Sequence, residues 1–358
     1  MLVDLVSRQT VYDEHAETRV PVGAVNRVLV LHTFLRTLEG AGRSLSDTFT
    51  VATAQNGTVD AVRWKEGEET TYETVLAAYA LTGEVAAARC VMQALYPSDE
   101  AFRDEAAAVL SELGIYDVVW EKTESGVLSV PHLSPSEVVL LAERTLEAYP
   151  ILQQWLTSPA LTFGEKTFAN ANLLRDANQI VTAVAVGAWN QRWSGVAFLE
   201  NPLPDGAVRR LMAVSLDRSS QKALSSAIRE SLQTGLRQFE TLRLYQKGEN
   251  IGTTVLYGAA KPEVVMTVPE DLYVTMPRRE LLDEGIAALS LRFVYPTPRM
   301  APVQAGEVLG TLTISMHGEV VKKTKVVSAE SVTKGSLWQR LRDYVKLAVS
   351  RQWEVEKE

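Results

Sequence analysis

The stretch "RVPVGAVNRVLVLHTFL", Arg19–Leu35, decides the fold. It closes a polar connection and opens a helix. Val25, Val28, Leu29, His32 beside Leu31, and Leu35 recur at helical spacing, which predicts an amphipathic helix. Upstream, "MLVDLVSRQTVYDEHAETR" reads as a strand, a tight turn and a second strand. Enzymes often mount a nucleophile at a helix N-terminus reached in this way, through a corner between strands and helix. Here the corner holds Gly23, with Asn26 one turn later, and neither is a nucleophile.

A chain of 358 residues has room for two or three domains. Its 46% hydrophobic and 22% charged content is that of an ordinary globular protein. The net charge of −8 argues against a general nucleic-acid binder, which carries a broad basic face. A single cysteine, Cys90, excludes an intramolecular disulfide and a cysteine-based zinc site. It lies in the apolar helical run "AAARCVMQAL" and reads as a buried, inert thiol. No metal site and no cofactor are expected. No apolar run approaches the roughly 18–20 residues that span a bilayer. Met1 stands almost directly on the first strand, so no signal peptide is expected within this chain.

To about Glu240, strands and helices alternate. "TYETVLAAYALTG" and "EVAAARCVMQALYP" read as helices around Thr82-Gly83. "SDEAFRDEAAAVLSELG" opens on the N-cap Ser98 and stops at Gly114. "SPSEVVLLAERTLEAYP" carries a capping box, with Ser134 as N-cap, Pro135 at the first helical position and Glu137 three residues on. Strand-like runs follow ("QIVTAVAVGAW", "RWSGVAFLE", "VRRLMAVSL"), and the helix "SSQKALSSAIRESLQTGLRQFE" closes the domain. From about Thr241, short alternating strands punctuated by Gly and Pro predict a small all-β sandwich. "KGSLWQRLRDYVKLAVSRQW" is helical again.

This order resembles the D-alanyl-D-alanine carboxypeptidases, the low-molecular-mass penicillin-binding proteins. Besides the opening strands, "WKEGEETTYETVLAAYALTG", "HLSPSEVVLLAE", "DGAVRRLMAVSL" and the β-rich segment before "GSLWQRLRDYVKL" fall in the family's order along nearly the whole chain. The resemblance implies a serine-transpeptidase-like α/β (α+β) domain over residues 1–240, with a central antiparallel sheet and flanking helices. An all-β domain over 241–333 and an amphipathic membrane-surface helix with its tail over 334–358 would follow. It also implies three catalytic motifs. Ser-x-x-Lys sets an amine against the serine it activates, Ser-x-Asn assists proton transfer, and Lys-Thr-Gly draws in the substrate carboxylate from a strand. The first aligns with Gly23-Ala24-Val25-Asn26, the second with Thr82-Gly83-Glu84 and the third with Ala185-Val186-Gly187. None survives, so no catalytic residue is assigned.

Other groups could supply the missing chemistry. Thr33 and Thr82 offer hydroxyls, and His15, His32 and His132 offer bases. His32 on an apolar helix reads as core, and His132 ahead of its helix as scaffold. Ser44 and Ser46 lack a lysine one turn on. A ligand could still add to the strand edge "AVAVGAWNQRW" through backbone groups alone. Thr82, Gly187, Trp189 and Trp193 are the candidate ligand contacts, with a core position for both tryptophans weighing equally.

In the last helix Leu337, Trp338, Leu341, Tyr344, Val345 and Trp353 recur every three or four residues. From Lys322 to Arg351 there are eight basic residues against two acidic ones, a local +6. Such a helix suits an anionic membrane surface; packing on its own domain is the competing reading. The expected function is that of a non-catalytic carboxypeptidase relative at the outer face of the cytoplasmic membrane. It would bind peptidoglycan peptides or wall-synthesis proteins, and no nucleic acid. The alternatives are an active carboxypeptidase using unidentified residues, and a β-domain docking platform.

Overall fold

The computed structural model describes residues 1–355 except 60, 123–127, 131, 172–173, 175–180, 190 and 296–297, with the backbone alone at 122, 128–129, 183, 189 and 348–355. The backbone divides into two compact units, Met1–Pro202 with Ala207–Leu236, and Leu203–Gly206 with Arg237–Glu358.

The first unit is built on a five-stranded antiparallel sheet. Its strands are β1 (Leu2–Asp4), β2 (Gln9–Tyr12), β3 (Val181–Trp189), β4 (Arg192–Pro202) and β5 (Val208–Arg218), in the order β3-β4-β5-β1-β2. Alternation along each strand separates two cores. Leu2, Ala197, Leu199, Leu211 and Ala213 meet Leu224, Ile228 and Leu232 of helix α7 (Gln221–Gln238). Val3, Val196, Phe198, Met212 and Val214 belong to the larger core of the other face. Gly235 of α7 sits so close to the sheet that a Cβ there would lie 2.8 Å from a Leu2 methyl and 2.9 Å from one of Leu211.

The helices of the larger core are α1 (Arg27–Gly40), α2 (Tyr72–Thr82), α3 (Val85–Leu95), α4 (Asp99–Glu112), α5 (Pro135–Ala148) and α6 (Pro150–Thr157). Their ends follow the sequence signals. Ser98 accepts from the Ala101 amide, Ser134 and Glu137 form the reciprocal capping box, and Gly83 closes α2 at φ +70°. Helix α1 departs from its amphipathic reading: every residue from Arg27 to Leu35 is buried. A helix apolar all round is a central one. His32 is satisfied there, its Nδ1 3.0 Å from Thr145 Oγ1 and its ring edge-on to Tyr149, while burial pushes its pKa down to about 4. Cys90 is buried, and desolvation pushes its thiol up to about 12.

In the second unit, β6 (Phe239–Tyr245) pairs with β9 (Leu272–Pro277). A five-stranded sheet runs in the order β7 (Asn250–Val255), β8 (Glu263–Thr267), β12 (Glu319–Ser328), β11 (Val308–Met316), β10 (Leu289–Val294). Leu256, Val264, Met266, Val274, Met276, Leu312, Ile314 and Val326 form its core. The short helix α8 (Arg278–Asp283) and a helical turn at Gly285–Ala288 interrupt what the sequence reads as purely β. Helix α9 (Leu337–Val355) ends the described chain. Among the described residues no helix is long and apolar enough to cross a membrane.

Candidate functional site

The corner at Gly23 is assembled from three directions. Val20-Pro21 pairs with His132-Leu133, which places the exposed His132 as scaffold. Ser194 Oγ on β4 donates to the Pro21 carbonyl at 3.1 Å. The chain then turns through a short 3-10 helix, Gly23–Asn26, into α1. Gly23 has φ +51°, a backbone that side chains disfavour. Asn26, one turn later, is buried and its Oδ1 accepts from the Val130 amide at 3.1 Å. Asn26 therefore anchors a neighbouring segment.

The turn Thr82-Gly83-Glu84 is also committed to structure. Thr82 Oγ1 donates to the Ala78 carbonyl at 2.6 Å and accepts from the Glu84 amide at 3.2 Å. The Glu84 carboxylate accepts from the Thr58 amide at 3.1 Å and from the Thr58 hydroxyl, so it ties down the 57–58 loop. Thr82 and Glu84 do not form the acid/base pair that their proximity in sequence suggests.

Strand β3 meets the corner across its face. A Cβ on Gly187 would lie 2.5 Å from the Ala24 methyl, so only glycine fits this approach. A register shift between Ala183 and Ala185 re-aims the strand there. Ala185 is fully buried in the larger core, while Val186 packs with the α7 core. A lysine amine at 185 would enter apolar surroundings. Among the described strands β3 pairs with β4 alone, so its outer edge keeps backbone donors and acceptors. Trp193 packs partly buried with the α7 core, on the sheet face away from the corner. The Trp189 side chain lies outside the described residues.

Arg27 went unnoticed in the sequence. It is buried, and its Nη1 lies 2.5 Å from where a Gly83 Cβ would stand, so its guanidinium occupies the ground between the first corner and the second turn. Burial lowers its pKa, and the neighbouring buried Tyr79 is pushed up to about 12. An arginine inside the apolar run "NRVLVLH" is the signal that could have found it. A guanidinium is a permanent cation and cannot serve as the base that a serine nucleophile needs. The other hydroxyl candidates are engaged too. Thr33 Oγ1 donates to the Leu29 carbonyl at 2.8 Å, and Ser44 bonds to Ser46 and Asp47. His15 is exposed in a left-handed turn at φ +55°.

Helix α9 is capped by Ser336 and Gln339, which bond reciprocally. It is held to its own domain by Asp343, 8% exposed, whose Oδ2 accepts from the Gly258 amide at 2.9 Å. The apolar stripe faces the other way: Leu337, Trp338, Leu341, Tyr344 and Val345 are 77%, 80%, 55%, 69% and 54% exposed. The side chain of Trp353 lies outside the described residues.

The family described as "Penicillin-binding protein 5, C-terminal domain" matches residues 239–334. The D-alanyl-D-alanine carboxypeptidase DacD of Salmonella typhimurium is 24% identical over 238 residues, 66% of this chain and 58% of that protein. The chain thus spans little more than half of that relative. The D-alanyl-D-alanine carboxypeptidase DacF of Bacillus subtilis is 19% identical over 93% of this chain and 85% of that protein. Among solved structures, penicillin-binding protein 5 from Haemophilus influenzae superposes with a TM-score of 0.78 at 16% identity, covering 93% of this chain and 96% of that one. Penicillin-binding protein 6B from Escherichia coli gives 0.68 at 16% identity, covering 91% and 93%. The chain is similar in sequence to D-alanyl-D-alanine carboxypeptidases and has the penicillin-binding fold.

Proposed function

We propose that this carboxypeptidase homologue is a non-catalytic member of its group that works in peptidoglycan metabolism at the cell envelope. In this reading it binds stem peptides, or proteins that handle them, without turning them over. One observation carries the reading: the positions where the group keeps its nucleophile and base are built into packing. Gly23 holds a left-handed backbone, Asn26 is spent on the Val130 amide, and Ala185 is buried. A peptide could still add to the outer edge of β3, where recognition needs main-chain groups rather than a reactive side chain. The outward apolar stripe of α9, beside the local +6 of residues 322–351, supports attachment to an anionic membrane surface.

The test is incubation with excess penicillin followed by intact-mass spectrometry. The expected result is an unchanged mass. A stoichiometric acyl adduct mapped to one residue would instead establish a working serine or threonine, and the non-catalytic reading would fall. Binding of a D-Ala-D-Ala stem peptide, followed by backbone amide shifts in β3, checks the retained recognition.

A further inference from the structure

The second unit brings two carboxylates and an imidazole together. Strands β11 and β12 are joined by His317 and Gly318 at φ +50° and +85°, the two left-handed positions of a type I′ hairpin. Glu280 and Glu284 lie one helical turn apart, on α8 and at its C-cap. The ligating atoms of Glu280, Glu284 and His317 all lie within 4.8 Å of one another, and His317 Nε2 is 3.0 Å from Glu280 Oε2. The nearby arginines are engaged elsewhere, Arg278 with Glu240 at 2.6 Å and Arg279 with Asp283 at 3.5 Å. Among the described residues no lysine or arginine pairs with Glu280 or Glu284. Two carboxylates one turn apart repel each other.

We propose that Glu280, Glu284 and His317 bind one divalent transition-metal ion, zinc by preference, and so clip α8 to the β11–β12 hairpin. The donor set selects the metal class. Imidazole with carboxylates suits zinc, whereas magnesium and calcium favour oxygen ligands throughout. Zinc bonds of about 2.0–2.2 Å put neighbouring ligand atoms roughly 3.3 Å apart. The His317–Glu280 pair already stands near that separation. Glu284 is exposed and closes the remaining gap by a side-chain rotation, with water completing the shell.

Calorimetric titration of the full chain with zinc chloride, after chelator treatment and at mildly alkaline pH, should give one ion per chain. His317→Ala and Glu284→Gln should each weaken binding at least tenfold, since losing even an outer-sphere partner costs roughly 10–100-fold. His132→Ala should leave it unchanged. A second measurement uses the unaltered chain: paramagnetic Co²⁺ should broaden the ring signals of His317 before those of the other three histidines. The proposal is overturned if no zinc binds at millimolar concentration. It is equally overturned if His317→Ala binds like the parent, or if another histidine broadens first.

Discussion

At the scale of single residues, the corner at Gly23 is held by backbone geometry and by the Asn26 anchor. A serine at 23 would have to adopt φ +51°, and a lysine at 26 would leave the Val130 amide without its acceptor. The variant carrying Gly23→Ser and Asn26→Lys should therefore lose about 2–4 kcal/mol of stability, the sum of a strained backbone and an unmet buried donor. It should also release no D-alanine from a D-Ala-D-Ala peptide. Catalytic groups that act as a unit are non-additive, and Ala185 and Glu84 would still supply nothing to the substrate. Urea denaturation and a D-alanine assay check both parts. Turnover at rates typical of the carboxypeptidases would show that the other two motifs are dispensable. The expectation that the three motifs are absent came from the sequence alone. The replacement parts were not legible there, because the partners of Asn26 and Glu84 are 104 and 26 residues away along the chain.

At the scale of elements, α9 departs from the usual rule. It buries a carboxylate against its own domain and presents leucine, tryptophan and tyrosine outward. The periodic stripe was visible in the sequence, whereas the side it faces depends on Asp343 finding the Gly258 amide. Deleting residues 335–358 should abolish sedimentation with anionic vesicles, and raising salt should weaken it without abolishing it. Each basic residue adds about 1 kcal/mol near such a surface, and apolar insertion is not screened. Full-length protein that stays in the supernatant at low salt would count against a membrane role for the stripe. Helix α1 makes the converse point. Its apolar spacing predicted a helix correctly, but amphipathicity failed because structure packs against every side of its first turns.

At the scale of the whole molecule, the first unit closes around its own N-terminus. Strand β1 pairs with β5, some 210 residues on, and Asp4 lies fully buried there with Arg209, whose Nε donates to Asp4 Oδ2 at 2.7 Å. The other carboxylate oxygen accepts from the amides of Val6 and Ser7, both at 3.1 Å. Arg209→Met should cost about 3–5 kcal/mol, because a buried carboxylate would lose its cation. Asp4→Asn added to it should recover part of that loss, since asparagine still serves the two amides and carries no charge. Denaturant midpoints for the single and double variants measure the coupling. A double variant no more stable than Arg209→Met would mean that Asp4 acts through its turn and not through its charge.

The sequence by itself determined the local elements and their order. Capping residues, helical and alternating periodicity, and Gly or Pro turns act over a few residues, and Ser98, Ser134, Glu137 and Gly83 act as their types dictate. Motif spacing also gave the expectation of a missing hydroxyl and missing amines, since looking for an absent group needs no fold. Only the tertiary structure decided that Arg27 fills the ground between corner and turn, that Trp193 faces α7, that the stripe of α9 points away from its domain, and that His317 meets Glu280. Each of these rests on a contact between distant segments, whose geometry is set by which faces the packed sheets and helices leave free.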